Sequence, residues 1–103
     1  MSNIHIEWTD LAIQDLYLIT QYIAKDSIKN SNSVYKNIFS AVEDLGKFPK
    51  KGRKIPEIEE DYYREIFVTS YRIMYKIDEN TIYIVAVFHM AQNFEKLELT
   101  NRN

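Results

Sequence analysis

The residues that most strongly punctuate a backbone, Gly46, Pro49, Gly52 and Pro56, all fall in one stretch, LGKFPKKGRKIPE. Glycine and proline end helices and interrupt strands, and this chain of 103 residues holds only two of each. It therefore has one principal break, and the segments on either side follow different periods. Before the break, Ala12, Leu16, Ile19 and Ile23 recur at helical intervals, which predicts an amphipathic helix from about Asp10 to Lys25. Thr9 is its expected N-cap, with Asp10 near the positive end of the dipole. The polar run from Lys25 to Asn32 reads as a connection, after which Val34, Ile38, Ala41, Val42 and Leu45 restore the stripe in a second helix. Gly46 is expected at the C′ position that ends it, with Pro49 shortly beyond.

The rest of the chain has strand character. Ile4, Ile6 and Trp8 alternate with His5 and Glu7, and after the break come YYREIFV, YRIMYKI and TIYIVAVFH, separated by two short polar connections. Such connections require antiparallel neighbours. In the middle run Tyr71, Ile73, Tyr75 and Ile77 alternate with Arg72, Met74 and Lys76, the pattern of a sheet with helices on one side only. The last run is apolar at nearly every position, as a central strand is. The order β-α-α-β-β-β predicts a single α+β domain over residues 1–103: a twisted antiparallel sheet of four strands with a helical hairpin packed on one face. A short helix is expected around Phe94 to Leu99.

Composition limits the function. Aromatic residues make up 14% of the chain, which argues against disorder. With no cysteine there is no disulfide framework and no thiol site. No window is apolar enough to span a bilayer, and the N-terminus has no leader pattern, so the chain reads as soluble and cytoplasmic. The formal net charge of −2 lowers the expectation of nucleic-acid binding. Phosphate-loop, zinc-protease and nucleophile-elbow motifs are absent, and His5 and His89 are far apart in sequence. No metal and no cofactor is expected.

The near-neutral average conceals local charge. Lys47, Lys50, Lys51, Arg53 and Lys54 precede the acidic run Glu57, Glu59, Glu60 and Asp61. Lys51, Arg53 and Lys54 are candidate phosphate ligands, although a solvated loop explains them as well, and the acidic run would repel a polyanion. Arg64 and Arg72 lie within strands, where a guanidinium is held at a fixed angle and suits a phosphate or a carboxylate. An internal ion pair with Glu65 or with the acidic run is the alternative. Ribonuclease chemistry would need a cation and proton-transfer groups, for which Arg72, His89 and Arg64 are the candidates. The strand tyrosines, Tyr71 among them, suit either sheet packing or an interface.

Taken together, IEWTDLAIQDLYLITQYIAKD, FPKKGRKIPE, YYREIFVTSYRIMYKID and IVAVFHMAQNFEKL resemble the ParE/RelE superfamily of bacterial type II toxins, often labelled plasmid stabilisation proteins. The resemblance covers nearly the whole chain. It implies a toxin held inactive by a cognate antitoxin in a hetero-oligomer, the antitoxin wrapping the toxin with its C-terminal segment. RelE-like members cleave messenger RNA on the ribosome, and ParE-like members are linked to inhibition of DNA gyrase. By position, Arg72 matches an arginine that the nucleases use at the phosphate, and Arg64 with Glu65 matches a common pair opening the second sheet strand. The end of the chain departs from the nuclease pattern. Met90, Ala91 and Gln92 stand where nucleases carry arginines, and no tyrosine follows Tyr83. The ParE-like branch is therefore favoured: a toxin that binds a protein target such as gyrase, with Arg64, Arg72, Tyr71 and Gln92 as contacts for antitoxin or target. A RelE-like messenger-RNA endoribonuclease working without metal is the alternative, and a non-toxic binding protein of the same fold is the third possibility.

Overall fold

The computed structural model describes residues 4–91. The elements run β1 (His5–Trp8), α1 (Asp10–Ala24), α2 (Ile28–Asp44), β2 (Arg53–Lys54), β3 (Tyr63–Val68), β4 (Tyr71–Asp78) and β5 (Thr81–His89). They form an α+β domain in which a helical hairpin packs on a twisted sheet, as the sequence pattern predicts. The expected helix at Phe94 to Leu99 lies outside the described residues.

Thr9 caps α1, its side chain accepting from the Ala12 amide. The second helix starts earlier than expected, because Ser27 caps it and accepts from the Asn30 amide at 3.0 Å. Lys29, Asn30, Asn32 and Ser33 form the exposed face of its first turns, so the polar run is mostly helix. Ser31, buried in that run, donates to the Thr20 carbonyl at 2.7 Å and locks the hairpin. Gly46 is not in the left-handed region. The α2 end is closed by right-handed Leu45, whose buried side chain belongs to the core.

The sheet has five strands in the order β1-β5-β4-β3-β2. Strands β2 to β5 pair antiparallel, but β1 lies parallel to β5, with Ile6 opposite Ile82 and Trp8 opposite Ile84. The sheet is thus mixed rather than wholly antiparallel. Turn length fixes direction only between strands joined by tight turns, and no such turn joins β1 to its partner. Its direction comes from Thr9, whose amide and hydroxyl both donate to the Ile84 carbonyl, at 3.0 and 3.1 Å. At the β3–β4 turn Thr69 holds φ 53°, a strained value for a β-branched residue.

Both faces of the sheet are covered. The helix-side core joins Ala12, Leu16, Ile38 and Val42 to Ile73, Tyr75, Ile82 and Ile84. A smaller core on the outer face sets Ile55 and Ile58 against Met74, Val85, Ala86 and Phe88. The expected open face is therefore crossed by a strap, residues 55–61. A bulge at Val85 separates the Met74–Ala86 pair from the Tyr75–Ile84 pair. This extra residue shifts the alternation of β5, so Ile82, Ile84 and Val87 face the helices while Val85, Ala86 and Phe88 face the strap.

Buried Tyr75 holds the break to the sheet. Its hydroxyl donates to the Pro49 carbonyl at 2.6 Å and accepts from the Gly52 amide at 3.0 Å. A Cβ at Gly52 would lie 2.6 Å from the Glu65 carbonyl oxygen and 2.7 Å from the Tyr75 hydroxyl. Only glycine permits this approach, although its φ is unremarkable. Gly52→Ala is expected to cost about 1–3 kcal/mol through overpacking, measured by urea unfolding. An unchanged midpoint would show that the strap is free to lift.

Candidate functional site

The outer face carries a chain of four alternating charges. Arg53 on β2 stands directly opposite Glu65 on β3, and its Nε donates to Glu65 Oε2 at 2.7 Å. The other oxygen, Glu65 Oε1, accepts from Arg72 at 2.8 Å from Nε and 2.6 Å from Nη2. Arg72 continues outward to Glu57 on the strap, with Nη2 to Oε1 at 3.1 Å and Nη1 to Oε2 at 3.4 Å. The Arg53 guanidinium lies 4.9 Å from the centre of the Phe67 ring. These residues meet because strand alternation puts Glu65, Phe67 and Arg72 on one face, and Ile55 and Ile58 pin the strap above them.

The Glu65 side chain is fully buried, and the Arg72 side chain is 10% exposed. Burial opposes charge on Arg72, but hydrogen bonds from Glu57 and Glu65 outweigh it and hold its pKa above the ordinary arginine value. Its hydrogen bond to Glu57 in turn holds that carboxyl below the usual carboxylate range.

Arg64 is on the other face, where alternation places it opposite Tyr75. It donates to the Gly52 carbonyl and to Asp61, both at 2.8 Å, and so fixes the two ends of the strap region. Its buried Nε has no hydrogen-bond partner among the described residues. His89 and Tyr71 pair across β5 and β4, their rings edge to face at 5.4 Å, beside α1. Burial raises the Tyr71 pKa, and nearby Tyr22 adds to the rise. Lys51 pairs with Asp44 at 3.2 Å, and Lys54 lies exposed opposite Arg64. Gln92 lies outside the described residues.

The structure thus brings Arg53 and Arg72 together through Glu65, and Tyr71 together with His89. It separates these two pairs onto opposite faces and puts Arg64 with neither. The sequence offers Glu57 only as one member of the acidic run that could pair with a strand arginine, and Tyr75 only as one of the strand tyrosines. The sequence cue for Glu57 is the pair Ile55 and Ile58 inside a charged run, which marks a segment seated on a core.

The helical side carries a second feature. Helix α1 leaves Leu11, Ile13, Tyr17, Leu18 and Tyr22 exposed. One groove of about 350 Å³ lies between α1 and α2, lined by Ile13, Leu16, Tyr17, Tyr35 and Phe39. A second of about 350 Å³ lies between α1 and the end of β5, lined by Leu18, Tyr22, Tyr71, Val87 and His89. Asp15 joins α1 to β5 there by accepting from the Val87 amide at 3.0 Å. Scattered apolar residues are normal on a surface, but a continuous patch marks an interface. No helix among the described residues is long and apolar enough to cross a membrane.

With an opening strand and helical hairpin feeding a meander, residues 6–94 match the family model described as ParE toxin of the type II toxin–antitoxin system, parDE. The chain belongs to the ParE toxin family. No curated protein sequence matches it significantly. Among solved structures, the chromosomal ParDE toxin–antitoxin system of P. aeruginosa is similar at 18% identity and a TM-score of 0.70, covering 84% of this chain and 96% of that one. The YoeB dimer from Staphylococcus aureus is similar at 16% identity and a TM-score of 0.61, covering 85% and 98%. The RelBE2 toxin–antitoxin complex from Mycobacterium tuberculosis is similar at 24% identity and a TM-score of 0.59, covering 89% and 97%. These likenesses show the fold, a ParE/RelE architecture, and the family match makes the chain a type II toxin.

Because Glu65 serves two arginines inside the protein, Glu65→Gln is expected to destabilise the toxin by about 3 kcal/mol in denaturant unfolding. Glu57 has a lowered pKa in the fold, so its stabilisation is present above the unfolded carboxyl pKa and lost as pH falls through the folded one. Glu57→Gln should flatten this acid limb of the stability profile. An equally steep limb in the variant would show that Glu57 contributes nothing there.

Proposed function

We propose that this ParE-family chain inhibits growth by binding a protein target, DNA gyrase, and is neutralised by a cognate antitoxin seated along α1. One observation carries the reading. Arg72, the candidate phosphate ligand, is neutralised by Glu65 and Glu57 on the face opposite His89, whereas the apolar surface beside α1 is open. Nuclease chemistry needs its cation and proton-transfer groups within reach of one phosphate. Protein recognition needs exposed aromatic anchors beside grooves, which α1 supplies. The ParDE and RelBE2 neighbours, named as toxin–antitoxin assemblies, support the antitoxin half of the proposal.

The gyrase half is tested by DNA supercoiling with purified gyrase and the full chain. Supercoiling is expected to fall as toxin is added, and full activity at saturating toxin would remove gyrase as the target. For the antitoxin half, the product of the adjoining reading frame is expected to form a complex with the toxin. Tyr17→Ala or Tyr22→Ala should weaken that complex by at least about tenfold, measured by calorimetry. Unchanged affinity in both variants would move the interface away from α1.

A messenger-RNA endoribonuclease is the second reading, favoured by the Arg72–Glu57 contact. There a guanidinium suited to a phosphate lies 3.1 Å from a carboxylate suited to accept a proton. On this reading Arg72→Ala and Glu57→Gln abolish transcript cleavage and toxicity. Undiminished cleavage in both variants would refute it.

A further inference from the structure

The loop between α2 and β2 holds a phenylalanine out into solvent. Phe48 is 59% exposed, yet its backbone is tied down before and after it. The amides of Lys47 and Phe48 both donate to the Asp44 carbonyl, at 3.1 and 3.2 Å, and the Phe48 carbonyl accepts from the Lys51 amide at 3.0 Å. Pro49 restricts the backbone of the residue before it, and its own carbonyl accepts from the Tyr75 hydroxyl at 2.6 Å. Lys51 adds an ion pair with Asp44. A ring carried on a backbone already fixed loses little freedom when a partner covers it.

Phe48 walls an open apolar groove of about 590 Å³ together with Ile4, Pro49 and Ile77. Three charged side chains border it, Lys47 and Lys50 from the loop and Glu79 from the β4–β5 turn. All three are exposed, and among the described residues none of them is in an ion pair. Glu79 also holds φ 54°, a left-handed backbone that glycine adopts at less cost. A residue set against the local backbone preference marks a candidate functional position.

The groove is separate from the surface given to the antitoxin. Ile77 lies six residues along β4 from Tyr71, which lines the groove beside α1, so about 20 Å of strand divides the two. Six or seven extended residues cross that distance, and an antitoxin chain seated on α1 therefore has the reach to close this groove as well.

We propose that the Phe48 groove is where the toxin holds its protein target. A segment of the target inserts an apolar side chain between Phe48 and Ile77, with a carboxylate toward Lys47 and Lys50 and a cationic group toward Glu79. The inference rests on the protein-target reading above and names the surface that does the binding. The mixed signs favour a polypeptide over a nucleic acid. A phosphate chain drawn to the two lysines meets Glu79 on the same groove and exposed Asp78 beside it in the turn, whereas a polypeptide segment presents both signs.

The test expresses the full chain without antitoxin as wild type, as Phe48→Ala and as Lys47→Glu combined with Lys50→Glu, and follows growth. Both variants are expected to lose growth arrest while keeping the wild-type urea midpoint and still forming a complex with the adjoining gene product. With purified gyrase, Phe48→Ala should need at least about tenfold more toxin to halve supercoiling. Undiminished arrest in both variants would overturn the proposal. If Phe48→Ala does not fold, the double charge reversal decides, since both of its positions are exposed and unpaired. Loss of arrest together with loss of the antitoxin complex in that variant would also overturn it. A single-stranded RNA oligonucleotide is the probe for the other class of partner. Binding to the wild type that weakens at least about tenfold in Phe48→Ala, by fluorescence anisotropy, would make the ring a stacking platform and overturn the protein assignment. Failure of the gyrase reading looks different: the wild type arrests growth but leaves supercoiling intact, and growth of the variants still decides the groove. A wild type that does not arrest growth overturns both.

Discussion

The hydroxyl of Tyr75 sits where the break in the sequence meets the sheet, and the rest of the architecture depends on its two hydrogen bonds. By holding Pro49 and Gly52, it fixes where the chain emerges after α2 and so where β2 begins. That placement brings Arg53 opposite Glu65, and the strap crosses the outer face from there. Burial raises the Tyr75 pKa, an effect that the Gly52 bond and the charge of Arg64 only partly offset, so the phenol stays protonated and able to donate to Pro49 throughout the neutral range. A phenylalanine would fill the same space but would leave a buried amide and a carbonyl without partners.

The charges follow from this framework. Cross-strand neighbours of opposite sign are favourable in any sheet, but here the strap adds burial, which turns a surface pair into a linked set. Glu65 is costly to bury, and two arginines compensate it. Arg64 serves a different purpose on the other face, tying Gly52 to Asp61 across the base of the strap. The protein thus uses its strand arginines chiefly to hold a loop to a sheet. It leaves recognition to apolar surfaces such as that of α1, which a helix hydrophobic on nearly every side cannot bury on one sheet alone.

Much of this was legible in the sequence, because period and punctuation are local signals. The stripe from Ala12 to Ile23 gave α1, and the two short connections gave the β3–β4–β5 meander. What was not legible depends on distant partners. The direction of β1 is set by one carbonyl at Ile84, and a polar stretch reads alike as a loop or as the exposed turns of α2. The strap hid because its acidic residues outnumber its two anchors. Of the candidate contacts, the Arg72–Glu65 pair was legible as an alternative, because strand register brings those side chains together. Glu57 was legible only as one member of the acidic run, since only the folded strap selects it for Arg72.

The bulge at Val85 decides which chemistry the end of β5 can join. Counted by simple alternation from Ile84, His89 would stand on the outer face with Arg72, and imidazole and guanidinium would share one surface. One added residue reverses the parity of everything after it, and His89 turns to Tyr71 and α1 instead. A single-residue deletion at the bulge is therefore a change of side, not of length. In this chain, that one residue is what withholds the histidine of the final strand from the arginine.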